Sequence, residues 1–282
     1  MNNLILRNYL STVPRKDSNW INNLEQRKIE EINFHNLDRE KKDDVIIQKQ
    51  KDLDIHANRK FYSITNGTRE FILNWVAINS KGKVFLDYAC GDGSFAMFAA
   101  KEGASIAIGI DISDVSINNA IELKLQNKIE NCHFLQADCE NTELPDNCID
   151  VVLCSGMLHH LDLNKAFPEL KRILRQGGVI LCVEALSVNP VIQWYRDRTP
   201  EMRTDWEKEH ILGMKDVKFA KKFFAVKDVK YWYLFEIISA FFHKSFLFKP
   251  LQTIFKLIDK VVLKIPYIQR LSWQFTFVLQ KK

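Results

Sequence analysis

Val84-Phe85-Leu86-Asp87-Tyr88-Ala89-Cys90-Gly91-Asp92-Gly93-Ser94-Phe95-Ala96 decides the fold. A short apolar run (a strand from Lys83 to Tyr88) ends next to a carboxylate. It passes through a turn with two glycines and enters a helix running from Phe95 to Lys101. Glycine lets a backbone turn sharply and lets a ligand approach closely. A lone G-x-G is also what an ordinary tight βα turn looks like, so the surroundings must decide.

Working outward, the same alternation repeats. Ser105–Ile110 reads as a second strand, and Ser113 as the N-cap of a helix running to about Gln126. Cys132–Ala137 and Cys148–Cys154 read as the third and fourth strands. Asn164–Arg175 reads as a helix stopped by Gly177-Gly178, and Val179–Val183 as the fifth strand. Continuous apolar strands that alternate with helices imply a parallel sheet covered on both faces. After Glu184 the alternation stops. Residues 189–223 read as a loop-helix insertion, Val226–Phe235 as a sixth strand and 238–270 as amphipathic helix. Trp273–Leu279 alternates like a last, half-exposed strand. Upstream, residues 59–78 are spaced like a helix burying one side, and residues 1–55 like polar helices forming an extension or lid. The expected fold is α/β and Rossmann-like: a mostly parallel seven-stranded sheet with helices on both faces, N-terminal helices and a helical insertion before the last strand. The divisions fall at 1–58, 59–186 and 187–282.

Carboxylates sharpen the glycine loop. Asp87 sits at the end of the first strand and Asp92 within the loop. A dinucleotide would set a pyrophosphate at that helix N-terminus, and carboxylates there would repel it at a cost of several kcal/mol. S-adenosylmethionine (SAM) instead carries an ammonium and a sulfonium. Asp111 ends the second strand, 20 residues after Gly91, where a carboxylate can accept from both ribose hydroxyls. Asp138 ends the third, placed to accept from an adenine amino group. Any one of these is often a plain cap or turn residue. At the ends of three successive parallel strands they form the rim where open α/β sheets bind ligands.

Across residues 83–186 the chain resembles the class I SAM-dependent methyltransferases, and most of all their broad type 11 group. The matching stretches are VFLDYACGDGSF, AIGIDISDVSINNA, LQADCENTELPDNCIDVVLCSGMLHHL and LKRILRQGGVILCVE. The resemblance implies Asp87, Gly91 and Gly93 around the methionine part of SAM, and Asp111 with Ile112 at the ribose. It implies Asp138 and the Cys139 backbone at adenine, and Ser155 lining the pocket. Ala89 stands where glycine is usual; alanine is small, and the departure is expected to do little harm. A weaker resemblance, to a subgroup of bacterial methyltransferases, lies in Asn189–Arg196 with Thr199-Pro200, Arg203 and His210.

Methyl transfer from a sulfonium is an in-line displacement. It needs chiefly alignment and a dry pocket, and proximity alone contributes roughly 7–11 kcal/mol. A hydroxyl acceptor also needs a base. His159 and His160 follow the fourth strand, and either can fill that role or simply shape its loop. Glu184, ending the fifth strand, can bind the acceptor or act as base. Arg196, Arg203 and His210 can read an anionic or polyhydroxylated acceptor, or form a solvated basic face. The expectation is SAM-dependent methylation, on oxygen, of a small or lipid-linked metabolite such as a sugar or natural-product intermediate. The alternatives are a nucleic-acid methyltransferase and a SAM-binding or membrane-associated protein without turnover.

Composition sets outer bounds. The six cysteines (Cys90, Cys132, Cys139, Cys148, Cys154, Cys182) contain no C-x-x-C pair, so core thiols are expected and no metal site. The N-terminus has too short an apolar run for a secretory signal, and no stretch approaches the ~20 apolar residues of a membrane span, so a cytoplasmic protein is expected. Charge is uneven. Residues 211–282 carry 14 Lys and Arg against 4 Asp and Glu, and the rest of the chain 26 against 31. This basic, aromatic-rich tail reads as a packed helical cap, as a peripheral contact with the inner membrane face, or, least of the three, as a nucleic-acid surface.

Overall fold

The structure is a computed structural model that describes residues 2–39, 59–199 and 203–282. The N-terminal part holds α1 (Asn2–Thr12), α2 (Ser18–Asn22) and α3 (Gln26–Arg39), so the helical extension expected over 1–58 is described as far as residue 39. Residues 40–58 lie outside the described part. Next come α4 (Arg59–Tyr62) and α5 (Asn66–Ser80). The alternating core follows: β1 (Val84–Tyr88), α6 (Ser94–Lys101), β2 (Ile106–Asp111), α7 (Asp114–Gln126), β3 (Cys132–Gln136), β4 (Ile149–Ser155), α8 (Leu163–Ile173) and β5 (Leu174–Ala185). The remainder is α9 (Pro190–Asp197), α10 (Asp205–His210), α11 (Met214–Ala220), β6 (Ala225–Trp232), α12 (Glu236–Ser239), α13 (Phe248–Val262) and β7 (Gln274–Gln280).

Among the described residues the seven strands form one sheet in the order β3-β2-β1-β4-β5-β7-β6. The first five are mutually parallel, and β7 runs antiparallel between β5 and β6. Strand order reverses between β1 and β4, so a crevice opens beyond their C-terminal ends, where open α/β sheets take ligands. Every side chain of β1 and β2 is buried, which explains why these strands read as unbroken apolar runs.

Alternate residues serve two cores. Phe85, Ala107 and Val151 pack with Ile72 and Val76 of α5, Ala96 and Ala100 of α6 and Ile117 of α7. Leu86, Ile108 and Val152 pack on the other face with Leu6 of α1, Phe167 and Leu170 of α8 and Val217 of α11. All six cysteines are free and buried.

The structure moves several sequence-based boundaries. Helix α8 ends at Ile173 rather than Arg175, because Leu174 is already extended (φ −73°, ψ 137°) and opens β5. Gly177-Gly178 are therefore no helix stop. They lie inside β5, where pairing with β4 slips from Ile149/Leu174 to Val151/Val179 and Gly177 takes φ +75°. Strand β6 stops at Trp232, since Tyr233 turns the chain at φ +64° while its hydroxyl accepts from the Thr68 amide at 2.6 Å. The expected helix over 238–270 is broken into α12, a 3₁₀ turn at Ala240–Phe242, α13 and a 3₁₀ turn at Ile268–Leu271. No helix among the described residues is long and apolar enough to cross a membrane.

Candidate active site

The turn after β1 is held by a small set of bonds. Cys90 N donates to Ile110 O and Gly93 N to Cys90 O. Gly93 sits at φ +74°, and a Cβ there would fall 2.3 Å from the Phe134 ring, so glycine is required twice over. Ala89 is also left-handed, at φ +60°. That is why glycine is usual at this place: an L-residue in this region costs roughly 1–2 kcal/mol. Ala89→Gly should therefore raise the unfolding free energy by about 1 kcal/mol, checked by urea unfolding of the pair.

The three strand-end carboxylates converge on one cavity of about 510 Å³, lined by Asp87, Gly91, Asp111, Ile112, Asp138, Cys139 and Ser155 among others. Asp111 accepts Gly91 N (2.8 Å) and Ser113 N (2.9 Å) and so sets the loop against the end of β2. Asp87 is buried and accepts Ala96 N at 3.1 Å. Burial pushes its pKa well above the ordinary carboxylate value, and the charges of Asp92 and Asp111 add to the effect of burial. A cation brought into the cavity would relieve that cost. Asp92 is exposed and accepts Ser94 N, a local turn contact. The Cys139 carbonyl accepts from the Tyr88 hydroxyl, tying the end of β1 to the loop after β3.

Helix α3 closes one side of this cavity, a feature the sequence reading did not resolve to residues. Arg27, Lys28, Glu31, His35 and Arg39 all line it. Lys28 Nζ donates to Asp138 Oδ2 at 2.7 Å and lies 2.8 Å from Glu140 Oε2. Arg27 Nη2 contacts both oxygens of buried Glu140, at 2.5 and 2.6 Å, and its guanidinium lies over the Trp206 ring. Arg39 bonds Ser116 and lies 3.6 Å from Asp111. The signal was present in the sequence: Arg27, Glu31, His35 and Arg39 recur every four residues, on one helix face.

A second cavity of about 430 Å³ abuts the first, and Ser155, Gly156, His35 and His160 line both. Aromatic rings of Phe34, Phe61, Tyr62, Tyr195 and Trp273 form much of its wall. Into it face His159, Glu184, Arg196, Arg203 and Glu207. Buried Glu184 accepts Met157 N (2.9 Å) and Leu158 N (2.7 Å) through Oε1, and contacts His159 Nδ1 at 2.7 Å through Oε2. Burial pulls the His159 pKa down, but the adjacent Glu184 outweighs it and the net shift is upward. His160 Nδ1 lies 3.0 Å from Glu31 Oε2, and Glu31 in turn accepts the Thr204 hydroxyl through Oε1. Although burial opposes it, the imidazoles of His160 and His35 hold the Glu31 carboxyl well below its ordinary value.

The three residues expected to read the acceptor do not stay together. Arg196 and Arg203 line the second cavity. Arg196 donates to Leu186 O at 3.0 Å, and burial with the nearby Arg203 lowers its pKa to about 10. Arg203 donates to Thr199 O and pairs with Glu207 at 3.5 Å. His210 instead stacks on Trp206 (ring centroids 3.7 Å apart) and lines a separate groove with Leu161 and Asp162. Both rings belong to α10, four residues apart on one helix face, and His210 Nδ1 lies 2.7 Å from Trp206 O, which holds the imidazole on the indole.

The donor set fits SAM on the structure's own terms. Buried Asp87 pairs with no cation among the described residues, Asp111 has lone pairs left after two backbone bonds, and the cavity has the size of a cofactor site. Residues 79–234 match the family model described as a methyltransferase domain. The chain is 27% identical over 152 residues to an uncharacterized methyltransferase, YcgJ, of Bacillus subtilis, covering 53% of this chain and 60% of that one. It is 32% identical over 126 residues to the ubiquinone/menaquinone biosynthesis C-methyltransferase UbiE of Rickettsia prowazekii, covering 42% and 50%. It is 30% identical over 146 residues to a ribosomal protein L11 methyltransferase of Methylobacillus flagellatus, covering 49% and 47%. The chain thus spans about half to three fifths of the length of these relatives. The crystal structure of the B. subtilis YcgJ protein superposes with a TM-score of 0.53 at 18% identity, over 76% of this chain and 98% of that one. The chain belongs to the methyltransferase-domain family and has the Rossmann-like fold of the class I methyltransferases.

Proposed function

We propose that the second cavity takes the methyl acceptor and that the reaction is O-methylation of a small or lipid-linked metabolite, a sugar or a natural-product intermediate, met in the cytoplasm or at the inner membrane face. SAM supplies an electrophilic methyl group. Asp87, Gly91, Asp111, Ile112, Asp138, Cys139 and Ser155 hold it, Gly93 shapes the turn from outside the cavity lining, and α3 is a lid whose Lys28 and Arg39 meet Asp138 and Asp111. The relatives do not choose the acceptor. Their names cite carbon on a quinone pathway and ribosomal protein L11, so the cavity itself must carry the argument.

The single observation behind the O-methylation reading is the Glu184–His159 contact of 2.7 Å. With Nδ1 engaged by Glu184, the other ring nitrogen, 3.9 Å from Glu207 Oε1 and so beyond hydrogen-bond distance, accepts the proton, and the ring lines a cavity that meets the cofactor cavity at Ser155 and Gly156. In this arrangement His159 is the general base and Glu184 positions it, fixing its tautomer and stabilising the imidazolium. His160, occupied with Glu31, supports the wall between the cavities. Arg196 and Arg203 orient a polyhydroxylated or anionic acceptor, while the aromatic wall takes its apolar part.

The pH profile of turnover tests this. Only neutral His159 accepts a proton, and its pKa is raised above the ordinary 6.5. Turnover should therefore climb with pH through a midpoint above 6.5. In Glu184→Gln the midpoint should move down, because the larger of the two carboxylate charges that raise it is gone and only Glu207 remains. A profile that is flat across this range, or a midpoint unmoved in the variant, would count against His159 as base.

A further inference from the structure

Helix α13 presents the wrong face to water. Of its fifteen residues only Asp259 is buried. Its carboxylate accepts the backbone amides of Leu234, Phe235 and Glu236 at 3.0, 2.8 and 3.1 Å. The side turned toward the body is thus anchored by a polar group. Ile254, Leu257, Ile258 and Val261 fall at i, i+3, i+4 and i+7, one continuous stripe, and these four side chains are 37–66% exposed. The stripe is part of a larger patch. Thirteen of the twenty exposed large apolar side chains among the described residues lie between Ile238 and Leu271. Single exposed apolar residues are ordinary, but a contiguous patch marks a docking surface.

What covers it follows from charge and shape. Lys256 and Lys260 are exposed beside the stripe, and residues 211–282 carry a surplus of ten positive charges. A second copy of the chain would bring a second set of lysines against the first. A nucleic acid would satisfy the lysines and offers stacking faces to Phe241, Phe242, Phe246 and Tyr267, but it gives the nine aliphatic side chains of the thirteen nothing to pack against. An aliphatic stripe flanked by lysines matches the acyl boundary and head groups of an anionic bilayer. We propose that the surface from Ile238 to Leu271 docks onto anionic lipid, with α13 lying in the plane of the interface.

The patch begins at the wall of the second cavity. Phe241 is half exposed, and its ring centroid lies 5.7 Å from that of Phe61, which lines the cavity beside Trp273. Docking through Phe241 brings that aromatic wall to the lipid surface, where an amphiphilic acceptor resides. This link rests on the second cavity being the acceptor site; the docking itself does not.

The test is co-sedimentation of the full chain with phosphatidylcholine vesicles, with and without phosphatidylglycerol. The wild type should pellet with the anionic vesicles and much less with the neutral ones. Leu257→Asp with Val261→Asp, at two exposed positions, should abolish pelleting while leaving the thermal melt unchanged. Lys256→Gln with Lys260→Gln should weaken partitioning roughly thirtyfold. A wild type that stays in the supernatant with anionic vesicles at low salt overturns the proposal. So does a solution dimer that Leu257→Asp dissociates and that ignores vesicles, since the stripe would then belong to a second copy. Vesicle binding is read without turnover, so its failure leaves the acceptor reading standing, and a dead His159 variant leaves docking standing.

Discussion

Replacing His159 by alanine should lower turnover by about 10²–10⁴-fold, the range that a positioned general base contributes, while affinity for S-adenosylhomocysteine stays within about twofold of wild type, a change of under ~0.5 kcal/mol. The separation follows from where the ring sits. His159 lines the second cavity and not the first, so its loss alters the proposed acceptor side and leaves the strand-end carboxylates in place. Glu184 keeps its two backbone donors from Met157 and Leu158, so the loop after β4 retains its shape. His160→Ala should behave differently. It removes a partner of Glu31 on α3 and should disturb cofactor binding as well as turnover. Single-turnover kinetics together with product binding would separate the two variants. Equal losses in both measurements for His159→Ala would remove it from the role of base.

Glu140→Ala should cost about 3 kcal/mol of stability, near the low end for breaking a buried ion pair. Glu140 is buried and accepts from Arg27, Lys28 and the Asp162 amide, the last at 2.7 Å. Truncation leaves that amide and two cations without it. The cost is held down because Lys28 keeps Asp138 and Arg27 keeps Glu25 at 3.1 Å. A loss of this size is a large part of the 5–15 kcal/mol typical of a folded protein. It would show as a lowered urea midpoint with an unchanged slope. Because Glu140 ties α3 to the core, the variant should also expose residues 26–39 to limited proteolysis. A midpoint shift under ~1 kcal/mol would mean that α3 is held by something other than this cluster.

The sheet was legible because its central strands are buried on both faces, so that Val84–Tyr88 and Ile106–Asp111 read as apolar runs whose one charged residue stands at the C-terminal end or next to it. The convergence of the three carboxylates was legible for a related reason. In a parallel sheet the ends of successive strands meet in space, and Asp87, one residue before the end of β1, Asp111, the last of β2, and Asp138, two residues beyond β3, line one cavity. Local propensity misled at Gly177-Gly178, which read as a helix stop and serves a strand bulge, because tertiary pairing with β4 overrides turn preference. The contribution of α3 was hidden for another reason. Its charged side chains find their partners more than 70 residues away, as Lys28 does at Asp138 and Arg39 at Asp111. Charge pattern alone cannot tell such pairs from a solvated face. His210 was grouped with Arg196 and Arg203 by proximity in sequence, but it stacks on Trp206, four residues earlier on the same helix.

Calorimetric titration of the purified protein with S-adenosylhomocysteine, run beside Asp111→Ala and with NAD as control ligand, tests the central claim most directly. Asp111 braces the glycine loop through Gly91 and faces the cofactor cavity. The wild type should bind S-adenosylhomocysteine and ignore NAD, and Asp111→Ala should weaken binding tenfold or more, about 1.4 kcal/mol. Binding of NAD, or no binding of S-adenosylhomocysteine by the wild type, would contradict the assignment of the cavity.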